Sequence, residues 1–377
     1  MKKIIILFLI SFFNFKAFTQ EIPTPLDSPY KNLVHPKLEL TKGLPDKSDI
    51  GEILPFISPV KAQGSRGTCS IFSSIAHLEA MLAIINKIPS DQLPNLSEEW
   101  LQYLQMSLKK SNDEGSSTPQ NFKLFSSHGF ISESALPYDP QDWSKVNENS
   151  FQKNYCSNIA TFYVNRQISS KELETKCLLA HGNPVLFNLD NTELQNHHPK
   201  FFKLKISSKA NLNQSLLPLS SKNGYYLGSV GAIKYLLSNG IPVSLGLEFY
   251  YGAWNHRKTV EYGIPRNMEL WYQGIIAYPE KDSVDFQESK KHEAGHSILL
   301  VGYDDNVVVT NTYKTVTGEF VTKKYQGVFY FKNSWGTDNF GLKFNIDGKK
   351  YPGFGMITYK YAYEFGGFTQ LPLKRKN

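Results

Sequence analysis

Residues 59–72 read Pro-Val-Lys-Ala-Gln-Gly-Ser-Arg-Gly-Thr-Cys-Ser-Ile-Phe, a glycine-containing loop that runs directly into a helical pattern. Apolar residues then recur at intervals of three and four: Ile71, Ile75, Leu78, Leu82 and Ile85. This period predicts a helix that begins at Cys69. The first turn of a helix gathers unpaired N–H groups and the positive end of the helix dipole, which favour ionisation of a thiol. Cys69 is therefore a candidate nucleophile.

The same segment resembles the active-site segment of the papain-like cysteine peptidases. The resemblance implies that Cys69 is the nucleophile, and that the Gln63 side chain and the backbone N–H of Cys69 form the oxyanion hole. The chain departs from the family at three positions. Arg66 stands where many members have a disulfide cysteine, Thr68 replaces Ser or Ala, and Ser70 replaces an aromatic residue.

Two further segments resemble the same family. Residues 295–304, Gly-His-Ser-Ile-Leu-Leu-Val-Gly-Tyr-Asp, resemble its histidine strand, and residues 331–337, Phe-Lys-Asn-Ser-Trp-Gly-Thr, resemble its asparagine segment. The resemblance implies that His296 takes the thiol proton and later donates it to the leaving amine. Asn333 would orient the imidazole, and Trp335 would shield the hydrogen bond between them.

A metal-binding alternative overlaps the same histidine. Residues 292–296, His-Glu-Ala-Gly-His, match the H-E-x-x-H motif of zinc peptidases, with His292 and His296 as ligands. That motif needs a helix, because only a helix brings residues four apart onto one face. The next residues, Ile-Leu-Leu-Val-Gly-Tyr, are typical of a strand, in which the two histidines would lie roughly 13 Å apart. The sequence therefore favours the cysteine peptidase and predicts no metal and no cofactor.

The resemblance implies an α+β fold of papain-like type, with two lobes and the active site in the cleft between them. A peptidase domain is expected over residues 44–370. Its helical N-terminal lobe would span about 51–143, an insertion about 144–226, and an antiparallel, β-barrel-like C-terminal lobe about 227–365. The insertion accounts for the long separation of Cys69 and His296, 296 − 69 = 227 residues, against roughly 130 to 150 in short members.

Local signals place several elements within these lobes. Ser97 is a suitable N-cap for a second helix, and Thr118-Pro119 and His128-Gly129 bracket a third. A short helix is expected to follow Ser229. Strands are predicted where β-branched and aromatic residues are dense, at residues 241–249, 297–303, 328–332 and 354–359.

Substrate contacts are predicted only by the resemblance. In the family a glycine-rich segment before the third helix hydrogen-bonds the substrate backbone, and Gly115, Ser116 and Ser117 occupy the matching place. Gly295, beside the histidine, is a fourth expected substrate contact. The preferred side chain, and the choice between endopeptidase and exopeptidase, remain open.

Both ends of the chain have a distinct composition. Residues 1–19 have a basic start, an apolar centre and small residues at the end, as in a secretory signal peptide, and the apolar run is too short to span a bilayer. Residues 20–43 would be a short pro-segment or an extended region, and residues 371–377 a basic tail. We therefore expect a secreted, periplasmic or cell-surface protein without stable membrane insertion.

Charge and cysteine content restrict the partners further. The formal net charge of +7 is mild for 377 residues, and its basic cluster lies in the tail, so no nucleic-acid partner is expected. The chain has 3 cysteines. Cys156 and Cys177 are the natural disulfide pair, which leaves Cys69 free, although all three could be reduced.

Two functions are consistent with these residues. The first is an exported cysteine peptidase that cleaves proteins or peptides through an acyl-enzyme. The second is a binding or surface protein on the same scaffold with weak or lost activity, suggested by Ser70 and by the absence of a long helical pro-region.

Overall fold

The computed structural model describes residues 43–109, 114–138, 140, 189–197, 199–215 and 226–371, and these residues form an α+β fold. The expected fold class is confirmed. The α-helices are α1 Ile50–Ile53, α2 Cys69–Asn86, α3 Glu98–Lys109, α4 Thr118–His128, α5 Asn191–His197, α6 Pro199–Ser215, α7 Val230–Ser238, α8 Met268–Tyr272, α9 Val284–Lys291 and α10 Tyr359–Phe365.

The strands follow mainly in the second half of the chain: β1 Tyr226–Leu227, β2 Val243–Glu248, β3 Ile275–Ile276, β4 Gly295–Lys314, β5 Phe320–Lys332, β6 Asn345–Ile346, β7 Lys349–Lys350, β8 Phe354–Thr358 and β9 Gly366–Thr369. Seven of them form one sheet in the order β1-β9-β2-β4-β5-β8-β3, and only β3 and β8 pair in parallel. The outer strands of this sheet, β1 and β3, do not pair with each other. Within the described residues the sheet is therefore open, and it does not close into the barrel-like form expected for the C-terminal lobe.

The helical lobe contains α2, α3 and α4, which begin where local signals predict. The Oγ of Ser97 accepts a hydrogen bond from the backbone N–H of Trp100 at 3.0 Å and so caps α3. Gly129 ends α4 with φ +81°. The apolar period of α2 buries Ile71, Ile75 and Leu78 against Phe122 and other residues of this lobe.

The β4–β5 hairpin is longer than the sequence predicts. The predicted strand of residues 297–303 ends where Asp304 and Asp305 suggest a turn, yet β4 continues to Lys314 and pairs with β5 down to Phe320. A register shift between Asp304 and Val308 accommodates the polar residues 304–306 within the hairpin. Beyond it, buried and exposed residues alternate along β4, with Val309 3% and Tyr313 7% exposed, so one face of the hairpin still contacts the core.

The second apolar face of α2 packs on the sheet and joins the two lobes. Ala76 and Ala80 contact a cluster that includes Leu299 and Val301 of β4. Within the described residues, α2 is the helix with the length and apolarity to span a membrane, but 78% of its 18-residue window is buried in the protein. Its apolarity is therefore explained by its position between the lobes.

The described part of the expected insertion is attached to the helical lobe. Phe201 of α6 is 3% exposed and packs on Trp100 and Tyr103 of α3. The Oγ of Ser208 donates to the carbonyl of His128 at 2.8 Å. The sequence contains no motif for this packing, because each contact joins residues roughly 80 to 100 positions apart along the chain.

Several predictions fall outside the described residues. They are the signal peptide of residues 1–19, most of the pro-segment of residues 20–43, the cysteines Cys156 and Cys177, and nearly all of the basic tail of residues 371–377. These stay predictions.

Candidate active site

Cys69 begins α2 and faces the start of β4. Its Sγ lies 4.0 Å from the carbonyl oxygen of Gly295, and the residue is 8% exposed. The preceding loop passes so close to residue 140 that a Cβ on Gly64 would lie 2.4 Å from the Pro140 carbonyl, and Gly64 also has φ +64°. Glycine at this position therefore allows the loop to present the thiol to the strand.

His296 is held by Asn333 in one orientation. The Nε2 of His296 lies 2.9 Å from the Oδ1 of Asn333, which also accepts the backbone N–H of Ser334 at 2.9 Å. Because the Ser334 N–H can only donate, the Asn333 atom between these two groups is the amide oxygen. The neutral imidazole therefore carries its hydrogen on Nε2, which leaves Nδ1 free to accept a proton.

Aromatic rings surround the imidazole of His296. The Trp335 ring stacks on it at a centroid distance of 4.6 Å and an angle of 28°. Trp254 meets its edge at 5.0 Å and Phe249 at 5.9 Å. Trp335 thus covers one face of the imidazole, and its shielding of the hydrogen bond stays a prediction. Trp254 was missed by sequence reasoning, because it lies in a loop without a motif, 42 residues before the histidine.

Burial shifts the protonation of both central residues toward their neutral forms. It raises the pKa of Cys69 to about 11 and lowers the pKa of His296 to about 4. The sequence predicts a thiol that ionises easily at the helix start, and burial opposes this effect. Transfer of the thiol proton to Nδ1 would create two opposite charges that attract each other beside the helix N-terminus.

Ser334 connects Gln63 to Asn333 by hydrogen bonds to both side chains. The Ser334 Oγ donates to the Gln63 Oε1 at 2.6 Å, which fixes the amide so that Nε2 is its donor end. Nε2 donates one hydrogen to the carbonyl of Arg66 at 2.8 Å. A second hydrogen remains on Nε2, and it is the one available to an oxyanion.

Arg66 and Thr68, two positions at which the chain departs from the family pattern, are connected through Tyr138. The Arg66 side chain, 1% exposed, bonds to Glu99 and to Glu114, each at 2.7 Å. The Tyr138 ring lies 4.8 Å from its guanidinium, and the Tyr138 hydroxyl bonds to the Thr68 Oγ1 at 2.7 Å. A buried ion pair thus anchors the catalytic loop where many papain-like enzymes have a disulfide cysteine.

The expected substrate residues have different surroundings. Ser116 is 2% exposed, and its Oγ bonds to the Oγ of Ser70 at 2.6 Å, so these two unusual serines pair with each other. Ser117 caps α4. Gly115 is half-buried, and its carbonyl accepts a hydrogen bond from Gln105 at 3.0 Å. Gly295 is half-buried at the start of β4, beside the thiol.

The residues of the H-E-x-x-H match are not helical. α9 ends at Lys291, and β4 begins at Gly295. The His292 ring stacks on Tyr262 at 3.9 Å, while the Nε2 of His296 faces Asn333. The zinc alternative is therefore wrong in its main requirement, because the two imidazoles do not share a helix face.

A buried charged network joins the lobes below the site. Lys332, which precedes Asn333, donates from Nζ to the Ser58 Oγ at 2.9 Å, and that hydroxyl donates to Glu79 of α2 at 2.6 Å. Lys61 bonds to both Glu79 and Glu98, at 3.0 and 2.6 Å. The strand that ends just before Asn333 is thus fixed to the helix that carries Cys69.

Comparison with known proteins gives a family match over the first part of the domain. Residues 44–217 match the sequence model of the papain family cysteine proteases. This part of the chain is therefore similar to the papain family. It contains Cys69 and Gln63, whereas His296 and Asn333 lie beyond the matched papain-family residues.

Individual relatives cover different shares of the chain. Pro-cathepsin H of Bos taurus is 28% identical over 138 residues, which are 36% of this chain and 38% of the relative. The chain thus matches less than half the length of that relative. Among solved structures, xylellain, a cysteine protease from Xylella fastidiosa, is 15% identical with a TM-score of 0.48, covering 94% of this chain and 100% of that one. Digestive procathepsin L2 of Tenebrio molitor is 17% identical with a TM-score of 0.43, covering 93% and 76%.

Proposed function

We propose that this protein is a cysteine peptidase that cleaves proteins or peptides. The observation that carries the proposal is the hydrogen bond between His296 and Asn333, which leaves Nδ1 free to accept a proton. The neighbouring Gly295 carbonyl oxygen lies 4.0 Å from the Cys69 Sγ. The papain-family match over residues 44–217 agrees with it.

The reaction follows from the roles of these atoms. The Cys69 thiol gives its proton to the His296 Nδ1, and Sγ attacks the carbonyl carbon of the peptide bond. The oxyanion accepts hydrogen bonds from the Cys69 N–H and the Gln63 Nε2, commonly worth a few kcal/mol per donor. His296 returns the proton to the leaving amine as the C–N bond breaks. Water, deprotonated by His296, then hydrolyses the thioester and regenerates the thiol.

Replacement of the nucleophile tests the proposal. Cys69→Ala abolishes peptide hydrolysis while the far-UV circular dichroism is unchanged, because the side chain is small and makes no strong hydrogen bond. An epoxysuccinyl inhibitor labels the native wild-type protein at Cys69 and fails to label the denatured protein. Unchanged turnover by Cys69→Ala would contradict the assignment of Cys69 as the nucleophile.

A weakly active binding protein is the second candidate, and the burial of Cys69 favours it. The 8% exposure of Cys69 and the burial that raises its pKa to about 11 both slow reaction of the thiol. Absence of labelling in the native protein, together with tight binding of peptides, would support this alternative.

We propose further that the protein is exported, because residues 1–19 have the composition of a signal peptide. N-terminal sequencing of the protein secreted by its native host would test this, with a first residue near Gln20 expected.

A further inference from the structure

The leaving group of the proposed reaction lies on the imidazole side of the thiol. His296 donates its proton to the leaving amine, so the peptide that follows the cleaved bond must extend past this ring. The ring is covered by Trp335, which is half-buried. The residues next to Trp335 therefore meet the leaving part of the substrate.

Two residues of the connection between β2 and β3 extend the surface around Trp335. Trp271 of α8 stacks on Trp335 with centroids 5.6 Å apart at 20°, and the His256 ring lies 6.0 Å from it. The Arg266 guanidinium lies 5.4 Å from the Trp271 centroid. The path from Trp335 across Trp271 to Arg266 is about three residues of extended peptide long.

Hydrogen bonds hold this connection in place before substrate arrives. Asn255, 4% exposed, accepts the Arg266 Nε on its carbonyl and the Asn267 N–H on its Oδ1, both at 2.6 Å. The buried carboxylate of Asp285 accepts the backbone N–H groups of Gly252 and Ala253 at 2.6 and 2.7 Å. A rigid surface loses little conformational entropy when a ligand binds.

The surface has an excess of positive charge. Arg257 and Lys258 are exposed beside His256, and Arg266 is half-buried. In the part of the chain that the structure describes, no carboxylate forms an ion pair with any of the three. The nearby Glu269 already pairs with Lys343 at 2.9 Å.

His256 adds a neutral hydrogen-bond donor. Burial, together with Arg257, Lys258 and Arg266, lowers its pKa to about 4, so the ring is neutral at working pH. Its Nδ1 accepts the Lys258 N–H at 3.3 Å, which places the ring hydrogen on Nε2. A substrate carbonyl is a suitable partner for this N–H.

We propose that His256, Trp271 and Arg266 bind the leaving part of the substrate and select an acidic side chain within three residues after the cleaved bond. The inference rests on the proposed peptidase function. The aromatic rings can pack against the peptide backbone. A guanidinium that pairs with no carboxylate of the described residues can form charge-assisted hydrogen bonds with Glu or Asp.

A matched pair of peptides tests the proposal. Mass spectrometry of a digested peptide library first supplies a cleaved sequence, and two quenched-fluorescence versions are then made with Glu or Gln at the second and third positions after the cut. We expect kcat/KM for the Glu peptide to be about fivefold higher. The ratio should fall as salt is added, because the charges are partly exposed.

Charge-removing variants locate the source of the preference. Arg266→Gln should bring the Glu-to-Gln ratio close to one, and Arg266→Lys should restore part of it. The double variant Arg257→Gln, Lys258→Gln changes only exposed side chains, and it should lower the ratio even if Arg266→Gln does not fold. Lys123→Gln, an exposed change on α4, is the control and should leave the ratio unchanged.

The outcomes separate the two proposals. Equal rates for the two wild-type substrates, or a ratio unaffected by both the Arg266 and the double variants, would overturn the acidic preference alone. Failure to cleave any peptide, with Cys69 unlabelled by the epoxysuccinyl inhibitor, would overturn the peptidase proposal and this inference with it.

Discussion

Asn333 orients the catalytic base of the proposed reaction through one oxygen atom. Because Oδ1 accepts both the Ser334 N–H and the His296 Nε2–H, the imidazole cannot rotate without losing a hydrogen bond. The Nδ2 of Asn333 is buried and has no partner among the described residues. The side chain is therefore held by its oxygen alone.

Removal of the Asn333 side chain is expected to reduce kcat more than it weakens substrate binding. In Asn333→Ala the imidazole is free to turn away from Sγ, so kcat should fall about 10²-fold while KM changes little. Asn333→Asp keeps an acceptor oxygen and should retain more activity. Steady-state kinetics on one peptide measures both, and the exposed Asn339→Ala serves as the control. A kcat for Asn333→Ala equal to that of Asn339→Ala would contradict the orienting role.

Helix α6 shows how an element without a motif is fixed by packing. Its sequence includes the adjacent pair Phe201 and Phe202, and the two residues differ in environment. Phe201 is 3% exposed between Trp100 and Tyr103, whereas Phe202 is half-buried. Phe201 is therefore the phenylalanine through which the helix packs on α3, in addition to the Ser208 hydrogen bond to His128.

The two phenylalanines form a matched pair for a stability measurement. Phe201→Ala leaves a cavity beside α3 and should lower the free energy of unfolding by about 3 kcal/mol. Phe202→Ala removes a ring that still contacts solvent and should cost about 1 kcal/mol. Urea unfolding followed by tryptophan fluorescence compares them. Equal losses for the two variants would show that α6 does not pack through Phe201.

The contact between the two lobes includes a fully buried histidine. His77 of α2 is 0% exposed, and its Nδ1 bonds to the Oγ of Ser244 on β2 at 2.8 Å. His77 therefore lies at the interface between the lobes. Burial lowers the pKa of His77 to about 3.

Acid should therefore weaken the folded molecule through His77. In the unfolded chain His77 binds a proton below its ordinary pKa of about 6.5, whereas in the folded state it stays neutral down to about pH 3. The free energy of unfolding therefore falls as the pH drops below 6.5. Between pH 7 and pH 5 we expect the wild type to lose about 2 kcal/mol more than His77→Gln. Urea midpoints at both pH values measure the difference.

A control variant distinguishes this effect from general acid sensitivity. His292→Gln changes an exposed ring at the end of α9 and should follow the wild type across the same pH range. If His77→Gln and the wild type lose the same free energy of unfolding, protonation of the lobe interface does not contribute.

Local sequence determined the elements and the candidate residues of this protein. Helical period and caps place α2, α3 and α4 within a residue or two, because these signals depend on neighbours three or four positions apart. The segments around Cys69, His296 and Asn333 each resemble the same family, so the sequence predicts that they form one site.

Only the tertiary structure decided what surrounds those residues. Trp254, Trp271 and His256 meet His296 or Trp335 because the long connection between β2 and β4 folds back over the sheet, and no local pattern encodes that path. The buried pair of Arg66 and Glu99 likewise depends on a contact between distant segments. Burial, which opposes ionisation of Cys69, is a property of the whole packed molecule, whereas the helix start that favours ionisation can be predicted from its own residues.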